Sequence, residues 1–135
     1  MTLWFLLPCY NEADNLERLL KRIDDQFDDY GVVAVNDGST DGTATVLSDL
    51  STTYPVHVRT HESNRGLHET LHTGLGYLLE EVGSPDDIVV TIDADNTQSP
   101  HSVAEMRAQI EGGADIVVGS RYVDGGKQQN TPLHR

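Results

Sequence analysis

The sequence predicts an α/β domain on an open, mostly parallel sheet with helices on both faces. Two observations carry that reading. Short apolar runs alternate with stripes of helical period along the chain, as strand–helix–strand crossovers require. Three of the apolar runs end in polar clusters: Pro8-Cys9-Tyr10-Asn11-Glu12, Asn36-Asp37-Gly38-Ser39 and Asp93-Ala94-Asp95. Ligands of such sheets bind beyond the carboxyl ends of the strands, so these clusters mark the edge expected to work.

Leu3 to Leu7 reads as the first strand. Asn11 follows as the expected helix N-cap with Asp14 three residues on, and Leu16, Leu19, Leu20, Ile23 and Phe27 form an apolar stripe. Val32 to Val35 is the second strand; Asp41 is placed to cap a helix that buries Val46, Leu47 and Leu50. Val56 to Thr60 alternates as a weaker third strand, before a helix with Leu67, Leu71, Leu75, Leu78, Leu79 and Val82 on one face. Ile88 to Ile92 is continuously apolar, as a strand buried on both faces would be. Ser99-Pro100 starts a helix with Pro at its first position, Val103, Met106 and Ile110 form its stripe, and Gly112-Gly113 stops it. Ile116 to Val118 is expected as a fifth strand, and the tail from Asp124 is polar and glycine-rich. Trp4 and Phe5 are expected in the core.

Length suits one domain over residues 1–135. There are 22 acids against 9 bases, a net charge of −13, and only Lys21 and Lys127 are lysines. No basic footprint is available to neutralise phosphates, so nucleic acid is excluded as a general partner. Dispersed acid with scarce lysine predicts a surface suited to high salt, where screening weakens self-repulsion. The chain shows no signal peptide and no apolar run near a membrane span. A soluble, cytoplasmic chain is the resulting expectation. Cys9, the single cysteine, lies in an apolar strand and is expected as a buried thiol.

Asp93 and Asp95 stand two apart at a strand end, so their side chains share a face. Like charges held close disfavour each other's ionisation. A hard divalent cation, Mg²⁺ or Mn²⁺, would offset that repulsion and bridge to diphosphate oxygens. The simpler alternative is that Asp95 caps a turn and Asp93 is solvated.

LLPCYNEADNL, VAVNDGSTDGT, Asn64-Arg65-Gly66, VVTIDADNTQSP and ADIVVGSRYVDGGK, in that order, resemble inverting family-2 glycosyltransferases of GT-A, Rossmann-like fold. The last segment looks most like dolichol-phosphate (polyprenyl-phosphate) mannosyltransferases and their glucosyl relatives. The resemblance implies a domain that binds a nucleotide sugar, a GDP- or UDP-hexose carrying mannose or glucose. It implies transfer to a polyprenyl or dolichyl phosphate at the cytoplasmic face of the membrane. Pro8, Tyr10, Glu12, Val35 and Asp37 would line the nucleotide pocket, Asp93 and Ala94 would touch the nucleotide sugar, and Asp95 would hold the metal. Asp95 and Arg121 are then the expected catalytic residues, and Arg121 with Arg135 would bind the acceptor phosphate. Arginine suits bidentate phosphate recognition where lysine is scarce. An acceptor phosphate is already ionised, so a single displacement needs no strong base.

The chain departs from the family pattern in three places. Thr97 stands where a glutamine is common, with Gln98 next, which leaves Thr97 or Gln98 as the further metal ligand. Asn36 replaces the first acid of the usual pair. Catalytic domains of this kind also continue further, so the resemblance implies a partial domain, truncated on its C-terminal side.

Other readings compete. A family-2 enzyme with a polysaccharide acceptor, or a nucleotide-binding fragment without activity, fits the same segments. His68-Glu69-Thr70-Leu71-His72 spells the H-E-x-x-H of zinc peptidases but lacks a clear third ligand. Asp93-Ala94-Asp95-Asn96-Thr97 fits the D-x-D-x-T of dehalogenase-type phosphatases, with Ser120 and Lys127 downstream but no acidic pair. His57, His61, His101 and His134 are expected at the surface. No G-x-G-x-x-G follows the first strand, which argues against a dehydrogenase.

Overall fold

The computed structural model describes residues 2–95 and 100–118. They belong to two compact units, Met1–Asn96 and Thr97–Arg135. In the first unit, β1 (Leu3–Cys9), β2 (Tyr30–Asp37), β3 (Val56–His61) and β4 (Ile88–Thr91) form one parallel sheet in the order β3-β2-β1-β4. The chain lays β2 and β3 to one side of β1 and then returns to place β4 on the other. Strand order therefore reverses at β1, where a parallel sheet opens a crevice.

β1 and β2 are buried almost throughout, and their side chains alternate between two cores. Trp4 and Leu6 join Val33, Val35 and Leu78 on one face. Phe5 points the other way, against the rings of Phe27 and Tyr30. Asp87 ties the lower end of β1, accepting hydrogen bonds from Thr2 N–H at 2.8 Å and Trp4 Nε1–H at 2.9 Å.

Helix α1 (Leu16–Gln26) follows its stripe: Leu16, Leu19, Leu20 and Ile23 are fully buried. Each such side chain contributes roughly 1.5–3 kcal/mol of transfer free energy. Phe27, the last of the stripe, is half-buried at the C-cap. The N-cap position belongs to Asn15, not Asn11. Asn11 instead adopts φ 54, a left-handed conformation that asparagine tolerates better than most residues. Of the residues expected inside on α2 (Thr43–Leu50), Leu47 is fully buried and Val46 and Leu50 partly so.

Helix α3 (Leu67–Tyr77), continued by a π-type turn at Leu78–Val82, corrects a sequence expectation. Its buried line is Thr70, Gly74 and Leu78, with Leu71, Tyr77 and Val82 packed partly against the sheet. Leu67, Leu75 and Leu79 of the expected stripe are exposed. The reason is steric: a Cβ on Gly74 would lie 2.2 Å from Leu6 Cδ1. The helix therefore approaches the sheet along its small residues, and its leucines flank that line.

β4 corrects a second expectation. Among the described residues it pairs with β1 alone, and its burial alternates, leaving Val89 40% exposed. Among the described residues the apolar run is thus an edge strand, and its alternating burial departs from a strand covered on both faces.

In the second unit, a 3₁₀ turn at Pro100–Ser102 leads into α4 (Val103–Glu111), N-capped by Ser102 and closed by Gly112. Residues 116–118 form no strand, and Ile116 and Val118 are exposed. An extended apolar segment becomes a strand only when a neighbour's ladder receives it, and no described residue pairs with this one. Among the described residues no helix is long and apolar enough to cross a membrane.

Candidate functional site

The carboxyl ends of β1 and β2 are laced together before any ligand is considered. Asn11 Oδ1 accepts hydrogen bonds from the N–H groups of Thr40 at 2.8 Å and Asp41 at 3.3 Å. In return, Ser39 Oγ accepts from Asn11 N–H and Thr43 Oγ1 from Glu12 N–H, both at 3.0 Å. Asp41 takes the Thr43 N–H at 2.9 Å just before the cap position of α2, and the Thr43 hydroxyl bonds to the same carboxylate. That hydroxyl bond, opposed by some desolvation, keeps Asp41 below the ordinary aspartate range. Asn36 is buried and its amide oxygen accepts the Ser39 N–H at 3.1 Å, closing the turn without adding a charge beside Asp37.

Asp37 ends β2 and is itself buried. Its Oδ1 accepts from Arg65 N–H at 2.8 Å and meets His61 Nδ1 at 2.8 Å; its Oδ2 accepts from Gly66 N–H at 2.9 Å. Burial raises its proton affinity, but the bonds from His61, Arg65 and Gly66 outweigh that, and its carboxyl lies below the usual range. The segment it holds passes so close that a Cβ on Gly38 would lie 2.3 Å from the Ser63 carbonyl carbon; Gly38 also has φ +68. Only glycine suits that position.

These elements enclose a cleft of about 300 Å³, lined in part by Pro8, Tyr10, Glu12, Asp37, Asp93, Ala94 and Asp95. Such a volume is at the lower end for small-molecule sites. Tyr10 is 44% exposed, which leaves its ring free to pack against a flat group. Glu12 carries the electrostatic signature of crowding. Partial burial is the largest cause that raises its proton affinity; Asn15 Nδ2–H, at 2.7 Å, opposes it, and the charges of Asp95, Asp93 and Asp41 raise it further. Three carboxylates on one cleft thus repel one another. Cys9 lies at the same edge, buried, with its thiol pushed up to about 12 by burial and then by Glu12, which makes it a poor nucleophile.

Of the residues expected from the sequence, Pro8, Tyr10, Glu12, Asp37, Asp93, Ala94 and Asp95 come together here. The Val35 side chain does not; it packs in the core with Trp4 and Leu6, beneath Gly74. Thr97, Gln98, Arg121 and Arg135 lie outside the described residues, as do Ser120 and Lys127. Cys9, Asn64, Gly66, Leu67 and Thr70 also line the cleft, although sequence reasoning gave them no role. His61, expected at the surface, is buried: its Nε2 meets Thr73 Oγ1 at 2.7 Å while Nδ1 holds Asp37. The signal was available, because in-register parallel pairing sets the end of β3 beside the end of β2, His61 against Asp37. His57 is likewise half-buried, with Nδ1 2.9 Å from the Tyr77 hydroxyl. His68 and His72 of the H-E-x-x-H segment are exposed, and no group of three or more His, Cys, Asp or Glu among the described residues is arranged to hold a metal.

Comparison with known proteins identifies the family and the fold. Residues 4–135 match the family described as glycosyl transferase family 2. The chain is 37% identical over 132 residues to a dolichol-phosphate mannosyltransferase of Pyrococcus furiosus, covering 96% of this chain and 36% of that protein. It is 33% identical to a polyprenol monophosphomannose synthase of Mycolicibacterium smegmatis, covering 96% of this chain and 49% of the other. The chain therefore spans about a third to a half of the length of these curated relatives. Among solved structures, mannosyltransferase PcManGT from Pyrobaculum calidifontis, in complex with GDP-Man and Mn²⁺, has TM-score 0.59 and 31% identity over 69% of this chain and 27% of its own. Staphylococcus aureus TarS 1-349 in complex with UDP-GlcNAc has TM-score 0.66 at 19% identity, over 91% of this chain and 39% of its own, a likeness of fold.

Proposed function

The chain belongs to glycosyl transferase family 2, a GT-A fold, and from that premise we propose that residues 1–135 form its nucleotide-sugar-binding part. The proposed reaction is inverting transfer of a hexose, mannose or glucose, from a GDP- or UDP-sugar to a polyprenyl phosphate. One observation carries the reading: the ends of β1 and β2 and the Asp93–Asp95 segment converge on a single cleft where strand order reverses. The relatives, a dolichol-phosphate mannosyltransferase and a polyprenol monophosphomannose synthase, support the acceptor class.

Each wall has a part. Tyr10 offers a face to the base, and Asp37 a fixed carboxylate edge for base N–H groups. Asp93 and Ala94 meet the sugar and diphosphate side. The crowded, hard-oxygen donor set fits Mg²⁺ or Mn²⁺, with Asp95 and Asp93 as its protein ligands; Thr97 or Gln98 remains the sequence-based candidate for a third. Two carboxylates together with phosphate oxygens and water would be a donor set of the kind Mg²⁺ takes. When bound, the ion neutralises charge developing on the leaving diphosphate. Arg121 and Arg135 are assigned to the acceptor phosphate on sequence grounds. The cytoplasmic face of the membrane is the expected place of action, because the acceptor class is a lipid and the donor is soluble.

Calorimetry of GDP and UDP with and without Mn²⁺ tests the reading. Binding should require Mn²⁺, favour one nucleotide, and weaken at least tenfold in Asp95→Ala, about 1.4 kcal/mol or more. Absence of binding to both nucleotides would remove the proposal.

A further inference from the structure

Asp37 reaches the cleft with its geometry fixed from behind. His61 approaches Oδ1 from β3, and the Arg65 and Gly66 amides take the remaining near side of the carboxylate. A carboxylate has about four acceptor sites, so three engaged partners leave about one for a ligand. An ionised Asp37 can only accept, so His61 Nδ1 must carry the proton it shares. Nε2 then meets Thr73, whose hydroxyl donates to a neutral imidazole or accepts from a charged one. The ring is thus held at both nitrogens, from Asp37 on β2 and Thr73 on α3, and both it and the Asp37 side chain are nearly closed to solvent.

From this geometry we infer that His61 is a positioning residue for the cleft: its Nδ1–H fixes the rotation of Asp37, and Asp37 in turn pins residues 64–66 as part of the cleft wall. Asn64 and Gly66 line the cleft directly, so a carboxylate free to rotate would loosen the wall as well as misdirect its own ligand-facing oxygen. The consequence for ligand affinity rests on the nucleotide-binding reading above; the coupling of His61 to the loop does not.

The test separates a hydrogen-bond donor from a space-filling ring. An asparagine can place a donor near the position of Nδ1, a glutamine reaches toward that of Nε2, and a leucine offers neither. Hydrogen exchange at the Arg65 and Gly66 amides is read in the ligand-free protein and in His61→Asn, His61→Gln and His61→Leu. Calorimetry of GDP and UDP with Mn²⁺ then follows on each. His61→Asn should keep amide protection and affinity within about threefold, while His61→Gln and His61→Leu should lose about tenfold in each, the scale of one hydrogen bond to a charged group. Thr73→Val, which keeps the Asp37 contact, should lose less than about threefold. Equal behaviour of the asparagine and glutamine variants, full protection in His61→Leu, or a Thr73→Val loss as large as that of His61→Leu would each overturn the inference. Should His61→Leu not fold, the asparagine–glutamine contrast and Thr73→Val decide it alone. If the unmodified protein binds neither nucleotide, the proposed function falls while the exchange data still judge the role of His61.

Discussion

The cleft holds carboxylates in two opposite conditions. Asp37, at the end of β2, is held by three donors, and its proton affinity is lowered despite burial. Glu12 lines the same cleft with Asp93 and Asp95, and its proton affinity is raised by burial and by their charges. A carboxylate surrounded by its own protein's donors is part of the scaffold. Carboxylates that raise a neighbour's proton affinity are candidates for contact with a ligand. The contrast separates a carboxylate that shapes the cleft from crowded ones to which the proposed ligand is assigned.

The strongest way to break that contrast is to remove the scaffold carboxylate. Asp37→Ala strands the Arg65 and Gly66 amides and the His61 Nδ1–H in a largely closed site. Unsatisfied buried donors cost about 1–3 kcal/mol each before relaxation, so a loss of about 3 kcal/mol is expected in urea unfolding. Asp95→Ala should cost clearly less, because that side chain is exposed rather than buried among donors. If the two variants lose equal stability, the division of the cleft is wrong.

The sequence made one half of this site easier to read than the other. Apolar period located α1 correctly because its leucines are the contact surface themselves. The same rule failed on α3, where Gly74 lets the helix settle onto Leu6 and moves the leucines aside. Apolarity scales rank a glycine as neutral, whereas packing makes it the point of closest approach. Asn11 was read as a cap because its chemistry suits one, yet the left-handed backbone directs its oxygen to the next loop instead. The acidic residues of the cleft were legible because charge clustered at strand ends needs no packing information. His61 was not, because its role comes from the register between two strands whose paired residues, Asp37 and His61, lie 24 positions apart in the sequence. Val89 and residues 116–118 show the remaining limit: apolar runs name strand candidates, but only a paired neighbour decides which are covered.

A smaller effect sharpens the contrast through pH. Folding raises the proton affinity of Glu12, so the native state binds more proton there than the unfolded chain does. Its contribution is therefore fully present below the ordinary glutamate value of about 4.3 and is lost as pH rises through the raised folded value. Asp37 has the opposite sign: its contribution is present above the ordinary aspartate value of about 3.9 and disappears as pH falls through its lowered one. Urea midpoints of the protein and of Glu12→Gln, from about pH 3 to about pH 7, should diverge in favour of the variant as pH rises through the Glu12 window. A difference that stays constant with pH would remove the claim of crowding.

The smallest expected effect concerns salt. With a net charge of −13, most of the repulsion is spread over the surface, and screening at roughly molar salt shortens its reach to about 3 Å. The exposed pairs Lys21–Asp25 and Arg107–Glu111 lose a little by the same screening, but exposed ion pairs contribute little to begin with. Repulsion should dominate, so the thermal midpoint should rise by a few degrees, roughly 1 kcal/mol, between low and molar salt. Because part of that gain comes from the acidic wall, Asp95→Ala should show a smaller rise than the unmodified protein. An identical midpoint at both salt concentrations would refute the high-salt reading of the surface. An identical rise in the variant would instead place the repulsion outside the cleft.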